Sequence, residues 1–275
     1  MLLFLAAAWA IPPITTVEST TTTFDTGLLE HFVACPAGYV ALSGGTAPWG
    51  TLTGLAVVSD GPATDATGAS GWFSVVQRDP SVTATFWGIQ TSATCLDAAI
   101  AARMVEATAT AMMGNADAAR VTAACPAGTT AVAGGVSVSG DITDRGLAES
   151  APRPGVGWRG GVVDLHPSTG ENITTEITVN AWCMPDAVYL ARVREVRSSV
   201  AGGPDPRLDA RCPRGTLAIS GGYQVDPMIG GVGLTWTRST NPGRLAAGWS
   251  SAVSVFEPPN TPAWTLETTA ICLTR

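Results

Sequence analysis

Lysine is absent from this chain of 275 residues; its 15 basic positions are all arginine, set against 22 acidic residues for a net charge of −7. Non-specific nucleic-acid binding needs clustered Lys and Arg against the phosphates, so the composition excludes it. With Ala and Gly abundant, the missing lysine reads as GC-rich coding bias rather than as a surface kept free of amines. Histidine occurs only as His31 and His166, and no Cys-x-x-Cys is present, which removes the usual structural zinc patterns. No serine sits in Gly-x-Ser-x-Gly, and no glycine loop runs into Lys-Ser/Thr, so nucleophile-elbow and phosphate-loop chemistry are also missing. No segment approaches the ~18 consecutive apolar residues that a spanning helix needs. Charge is only 13% while apolar residues make up 45%, which marks a chain that buries a core rather than a disordered one.

What the sequence does contain is one element written three times. Cys35-Pro36-Ala37-Gly38 leads to Gly44-Gly45; Cys125-Pro126-Ala127-Gly128 leads to Gly134-Gly135; Cys212-Pro213-Arg214-Gly215 leads to Gly221-Gly222. Further marks keep this phase. Glu18, Glu106 and Glu195 stand upstream in β-branched stretches, and Gly71-Trp72, Gly157-Trp158 and Gly248-Trp249 stand downstream. Ala93, Ala181 and Ala270 precede a closing cysteine by two residues. The six cysteines fall into pairs separated by 60, 58 and 60 positions, so the repeat favours one bridge per copy: Cys35–Cys95, Cys125–Cys183 and Cys212–Cys272. Each bridge closes a loop of about 60 residues, worth roughly 4 kcal/mol in the chain-entropy picture, and disulfides imply an oxidising compartment.

Alternation places Ile89, Ile177 and Leu266 on the same strand face as the closing cysteines. Pro-x-Gly makes a turn after each opening cysteine. A short strand then ends at the glycine pair, as a bulge or a close backbone approach. Segments such as Ser59-Asp60-Gly61-Pro62 and Glu149-Ser150-Ala151-Pro152 read as mid-repeat turns. Residues 98–109 have helical composition, but their alignment with β-branched stretches in the other copies argues for a strand. The expected fold is all-β: three tandem, disulfide-stapled, antiparallel β-sandwich-like modules of about 88 residues, spanning 14–98, 99–186 and 187–275. A closed pseudo-three-fold β-prism is the alternative. Residues 1–13, whose apolar run from Met1 to Ala10 ends in Ala8-Trp9-Ala10, read as the remnant of an export signal.

The pattern of Cys-Pro-x-Gly, Gly-Gly, Ser-x-Pro, Gly-Trp and Ala-x-Cys resembles a repeat of exported bacterial proteins of the actinobacterial type, which have no assigned function. A looser likeness is to the vitelline membrane outer layer protein, a three-fold β-prism with Cys-Pro-x-Gly elements. The first resemblance implies an exported module and the second implies the closed prism; neither implies an activity.

Candidate chemistry is sparse. His31 and His166 occupy unrepeated positions, and the nearest carboxylate pairs, Asp60 with Asp65 and Asp141 with Asp144, lie in turn-like segments where Asp favours backbone capping. Calcium loops would suit such oxygens, yet no Asp-x-Asp-x-Asp-Gly spacing occurs. No catalytic residue, cofactor or metal ligand is assigned. Trp72, Trp158 and Trp249 are the candidates for stacking on sugar rings, weighed against the reading that they fill the core beside each bridge. Trp49, Trp182 and Trp236 are weaker candidates for variable surfaces. The expected role is that of a secreted or cell-surface, non-enzymatic protein, adhesive or structural in an extracellular or virion assembly. Its partners would be glycans or other subunits. A lectin-like carbohydrate binder is the alternative.

Overall fold

The computed structural model describes residues 14–23, 27–50, 53–79, 82, 86–114, 116–167, 174–188, 193–203, 205–240, 247–256 and 263–274. The export-signal segment 1–13 lies outside them. The first repeat supplies β1 (Ile14–Thr23), β2 (Leu28–Ala34), β3 (Tyr39–Gly50), β4 (Leu55–Thr64), β5 (Ser70–Arg78) and β6 (Trp87–Asp97). The second supplies β7 (Val105–Met113), β8 (Ala118–Ala124), β9 (Thr129–Gly140), β10 (Arg145–Arg153), β11 (Gly157–Asp164) and β12 (Thr175–Pro185). The third supplies β13 (Val193–Ala201), β14 (Arg207–Arg211), β15 (Thr216–Asp226), β16 (Val232–Thr240), β17 (Gly248–Val255) and β18 (Thr265–Thr274). One helical turn, α1 (Ala98–Ala101), is capped by the Asp97 carboxylate and precedes β7. The helical composition after residue 98 is therefore spent on a single turn, and the strand expected there follows it.

The strands form three antiparallel six-stranded sheets, in the orders β1-β6-β3-β16-β17-β14, β2-β5-β4-β9-β12-β7 and β13-β18-β15-β10-β11-β8. Each repeat gives its first, third and sixth strands to one sheet and its second, fourth and fifth to the next. Within a repeat these two halves face each other as a sandwich. Between repeats the halves join edge to edge: β3 meets β16, β9 meets β4 and β15 meets β10. The chain thus closes on itself with pseudo-three-fold symmetry. Of the two arrangements left open by the sequence, the closed prism holds, with sandwich-like modules as its thirds.

All three bridges form as the spacing predicts, with Cα–Cα separations of 5.8, 5.8 and 5.6 Å. Each opening cysteine follows the last residue of β2, β8 or β14, and its partner lies in β6, β12 or β18. Every bridge therefore joins two different sheets. The turn after the opening cysteine is closed by Tyr39 N–H on Pro36 O, Thr129 on Pro126 and Thr216 on Pro213, at 3.0, 3.1 and 3.2 Å. Gly38, Gly128 and Gly215 take the positive φ that such a turn requires.

The glycine pair does not end a strand. β3, β9 and β15 run through it, and the register shift in the first repeat lies just before it, between Ala41 and Ser43. The first glycine of each pair lies under the repeat's tryptophan: a Cβ on Gly44, Gly134 or Gly221 would stand 2.3, 2.4 or 2.1 Å from Trp72, Trp158 or Trp249. The second lies against the neighbouring repeat, where a Cβ on Gly45, Gly135 or Gly222 would stand 2.4 Å from Thr237 O, 2.6 Å from Gly61 Cα or 2.2 Å from Ser150 O. One glycine admits the indole and the other admits the next repeat's backbone. The segments around Pro62 and Pro152 are likewise not turns but the interiors of β4 and β10, bulged at Val57/Ser59 and Leu147/Glu149. A bulge places consecutive residues out of alternation, which mimics turn composition.

The main core draws on all three repeats, for example Leu55, Val136, Leu147, Ile177, Leu234 and Leu266. A second cluster is built around Leu42, Val132 and Ile219, one from each repeat. Among the described residues, no helix is long and apolar enough to cross a membrane.

Candidate functional site

Trp72, Trp158 and Trp249 are 2%, 0% and 2% exposed. Their indole N–H groups donate inside the fold, to Asp60 Oδ1 at 2.5 Å, Ser150 Oγ at 3.0 Å and Thr237 Oγ1 at 2.7 Å. Stacking on a sugar is thereby corrected: each ring is enclosed between a glycine and the core, out of a ligand's reach. Trp49, Trp182 and Trp236 are partly buried, whereas Trp87 and Trp264 are buried. Trp49 meets Phe86 edge-on at 4.9 Å, Trp182 packs on the second core cluster, and Trp236 lies beneath Arg207 and Arg238 at 4.7 and 5.6 Å.

The carboxylate pairs read from the sequence do not hold together. Asp65 is exposed and accepts from Thr67 N, Thr67 Oγ1 and Ala69 N at 2.8, 2.6 and 2.9 Å, bonds that hold its carboxyl below the usual range. Asp60 is buried in β4, where burial pushes its carboxyl up to about 6 against hydrogen bonds from Trp72, Thr46 and Ser74. Asp141 caps its own turn through Thr143 N at 3.1 Å. His31 stands in β2 opposite Ser74, and burial lowers its basicity.

Asp144 and His166, by contrast, come together. Asp144 sits at the β9–β10 turn with φ +55°, and its Oδ1 lies 3.0 Å from His166 Nδ1. Across the junction with the first repeat, Asp79 Oδ2 lies 3.6 Å from Nε2 of the same ring. The imidazole is set by its backbone, because His166 N–H donates to Asp164 Oδ1 at 2.9 Å while Asp164 Oδ2 accepts from buried Arg145 at 2.8 Å. Gln77 Nε2 reaches Arg145 O at 2.6 Å and ties the first repeat to the second. Gln77, Arg78, Asp79, Asp144 and His166 line a cleft of about 300 Å³ together with the apolar Ala56, Ile142, Leu165 and Phe256, so all three repeats contribute to it. Phe256 faces the histidine edge-on at 6.4 Å.

A histidine oriented through Nδ1 by a carboxylate is half of an acid–base arrangement. Its Nε2 faces a second carboxylate, Asp79. Among the described residues, no three His, Cys, Asp or Glu side chains are grouped so as to hold a metal ion. The cleft combines carboxylates, a guanidinium, an amide and an imidazole with apolar side chains. Sequence reasoning named His166 and Asp144 separately and missed Asp79, since only ring closure brings the first repeat to the second.

A second charged cluster ties the junction of the second and third repeats. The buried Glu149 carboxylate takes Arg120, Arg159 and Arg153 at 2.9, 2.6 and 2.5 Å, and Arg153 also bonds Gln224. Burial pushes Glu149 up, opposed by Arg159 and Arg120.

No protein-family model matches this chain, and comparison with curated proteins finds no similar sequence.

Proposed function

We propose that this protein is secreted or displayed on a cell surface and acts without catalysis, as an adhesive or structural component of an extracellular or virion assembly. The observation that carries this reading is the placement of the three disulfides, one between each pair of sheets, because a fold stapled in this way belongs in an oxidising compartment. The repeated cysteines, turns, glycine pairs and tryptophans serve the bridges, the packing within each repeat and the junctions between repeats, so recognition falls to surfaces where the copies differ. Non-reducing peptide mapping of native protein from the medium or cell surface should return the three within-repeat bridges. Recovery from the reducing cytosol with free thiols would refute the reading. Scattering at rising concentration should show association, and a monomer throughout would count against assembly.

A lectin-like role is the second reading, moved from the tryptophans to the end cleft. Asp79, Asp144 and His166 above Leu165 and Phe256 combine polar groups for hydroxyls with an apolar floor for a ring face. A glycan array with Asp79→Asn and Asp144→Asn tests it; asparagine tolerates the positive φ at 144. Binding lost with melting unchanged supports the cleft, whereas equal binding by all forms removes it.

A further inference from the structure

Four strands bring one row of side chains together at the junction of the second and third repeats. Arg120 of β8 pairs with Gly161 of β11, Gly161 with Glu149 of β10, and Glu149 with Gln224 of β15. Arg159 stands two residues from Gly161 and Arg153 four from Glu149, so alternation puts both on the same face. A Cβ on Gly161 would stand 3.1 Å from Glu149 Cβ and 3.5 Å from Arg120 Cγ, so the glycine leaves room for the two side chains to meet. The Glu149 carboxylate is fully enclosed, while the Arg120, Arg153 and Arg159 side chains keep 36%, 22% and 25% exposure.

This cluster belongs to one repeat. Glu149 follows the bulge in its strand as Ser59 and Trp236 follow the bulges in theirs. Two repeats fill the position with a neutral side chain, so the fold does not require a carboxylate there. Nor does one carboxylate require three guanidiniums. Glu149 balances one positive charge, and Asp226, exposed and 3.9 Å from Arg120, balances a second through solvent. One cation is left over in a protein whose net charge is −7. The donors are in excess as well. Arg120 and Arg159 meet Glu149 through Nε, which leaves their terminal Nη1–Nη2 forks without a hydrogen bond among the described residues. Arg153 spends only Nη2, on Glu149 and Gln224, and its Nε is buried without a partner.

A guanidinium fork matches two oxygens of one oxyanion. Forks from adjacent strands, beside a third guanidinium, suit a group with oxygens in several directions, which is tetrahedral sulfate or phosphate rather than planar carboxylate. We propose that Arg120, Arg153 and Arg159 bind a sulfate or phosphate ester carried on a polysaccharide. Glu149 orients the three guanidiniums from below, and the ester lies on their solvent side. A single compact site takes an isolated ester group, whereas a nucleic-acid backbone needs an extended basic stripe. The polysaccharide rests on the placement outside the cell proposed above; the oxyanion site does not, and it shares no residue with the end cleft.

The test is fluorescence anisotropy of labelled dextran sulfate and dextran phosphate with the full chain at low ionic strength, with neutral dextran as control. A charged dextran should bind, the tighter of the two naming the ester, and neutral dextran should not. Arg120→Gln alone would strand the buried carboxylate, so the variants are Glu149→Gln and Glu149→Gln with Arg120→Gln, their folding checked by melting. Glu149→Gln removes the competing charge and should bind as tightly as the parent or tighter. Adding Arg120→Gln should weaken binding about ten-fold, the loss of one charge-assisted hydrogen bond. Arg197→Gln, on the same sheet but paired with Glu195 and Glu267, should bind like the parent. Failure of both charged dextrans, equal binding of neutral dextran, loss of binding in folded Glu149→Gln, or equal weakening by Arg197→Gln would each overturn the site. Competition by inorganic sulfate and phosphate separates the two parts of the proposal. If the free ions bind and neither polymer does, the polysaccharide is refuted while the disulfide mapping above still decides the compartment.

Discussion

Replacing Asp60 by asparagine should stabilise this protein at neutral pH and leave its stability in acid unchanged. Burial raises the Asp60 carboxyl from its ordinary 3.8 to about 6, in spite of three hydrogen bonds that favour the anion. The folded protein therefore holds this proton more tightly than the unfolded chain does. The resulting stabilisation is complete below 3.8 and is lost as pH rises through 6. A gap of about two pH units corresponds to about 3 kcal/mol. The asparagine of Asp60→Asn would keep an Oδ1 acceptor for Trp72, Thr46 and Ser74 while carrying no charge. The stability difference between variant and parent should grow from near zero in acid to about 3 kcal/mol at neutral pH, roughly 5 °C in melting temperature for a chain of this size. Denaturant or thermal unfolding with the bridges intact would measure it. A difference that stays constant with pH, or a variant less stable than the parent at neutral pH, would refute the reasoning, because the fold would then compensate the charge by itself.

Gly45→Ala, which brings a methyl within 2.4 Å of the Thr237 carbonyl oxygen, should cost about 3 kcal/mol, while Gly114→Ala, with nothing within 4 Å, should melt close to the parent. Trp72→Phe should cost about 1–3 kcal/mol, more at neutral pH than in acid because it strips a donor from a carboxylate. Trp249→Phe removes a donor from the Thr237 hydroxyl, so its cost should not vary with pH across that range. Replacing Cys125 and Cys183 together by serine should lower stability by about 4 kcal/mol, and denaturant titration would read the loss directly.

The elements were legible in the sequence because strand faces, turns and bridges are local and recur in phase. Alternation through Ile89, Ala93 and Cys95 fixes a face, and spacings of 60, 58 and 60 select the bridges. Edge pairing is another matter. Nothing local to Thr46 or Gly45 indicates that its neighbour is Thr237, almost two hundred positions away, and that contact is what converts three sandwiches into a ring. The same limit hid the cleft, since Asp79 and His166 belong to different repeats. Asp60 reads as a turn residue because a bulge in β4 carries the Ser-Asp-Gly-Pro composition of a turn. The Gly-Trp motif, readable as core or as ligand platform, is settled by the first glycine of each pair, against which the indole lies.

The sharing of sheets also changes what one repeat is. Taken out of the ring, a single repeat bares two further sheet edges, the outer sides of its third and fourth strands, and each of these matches the other in an identical copy. Three separate chains of one repeat each would carry every strand pairing that the ring uses. The protein is in that sense a trimer written on one chain. Once its copies are covalently joined, each is free to diverge alone, as Asp60 and His166 have.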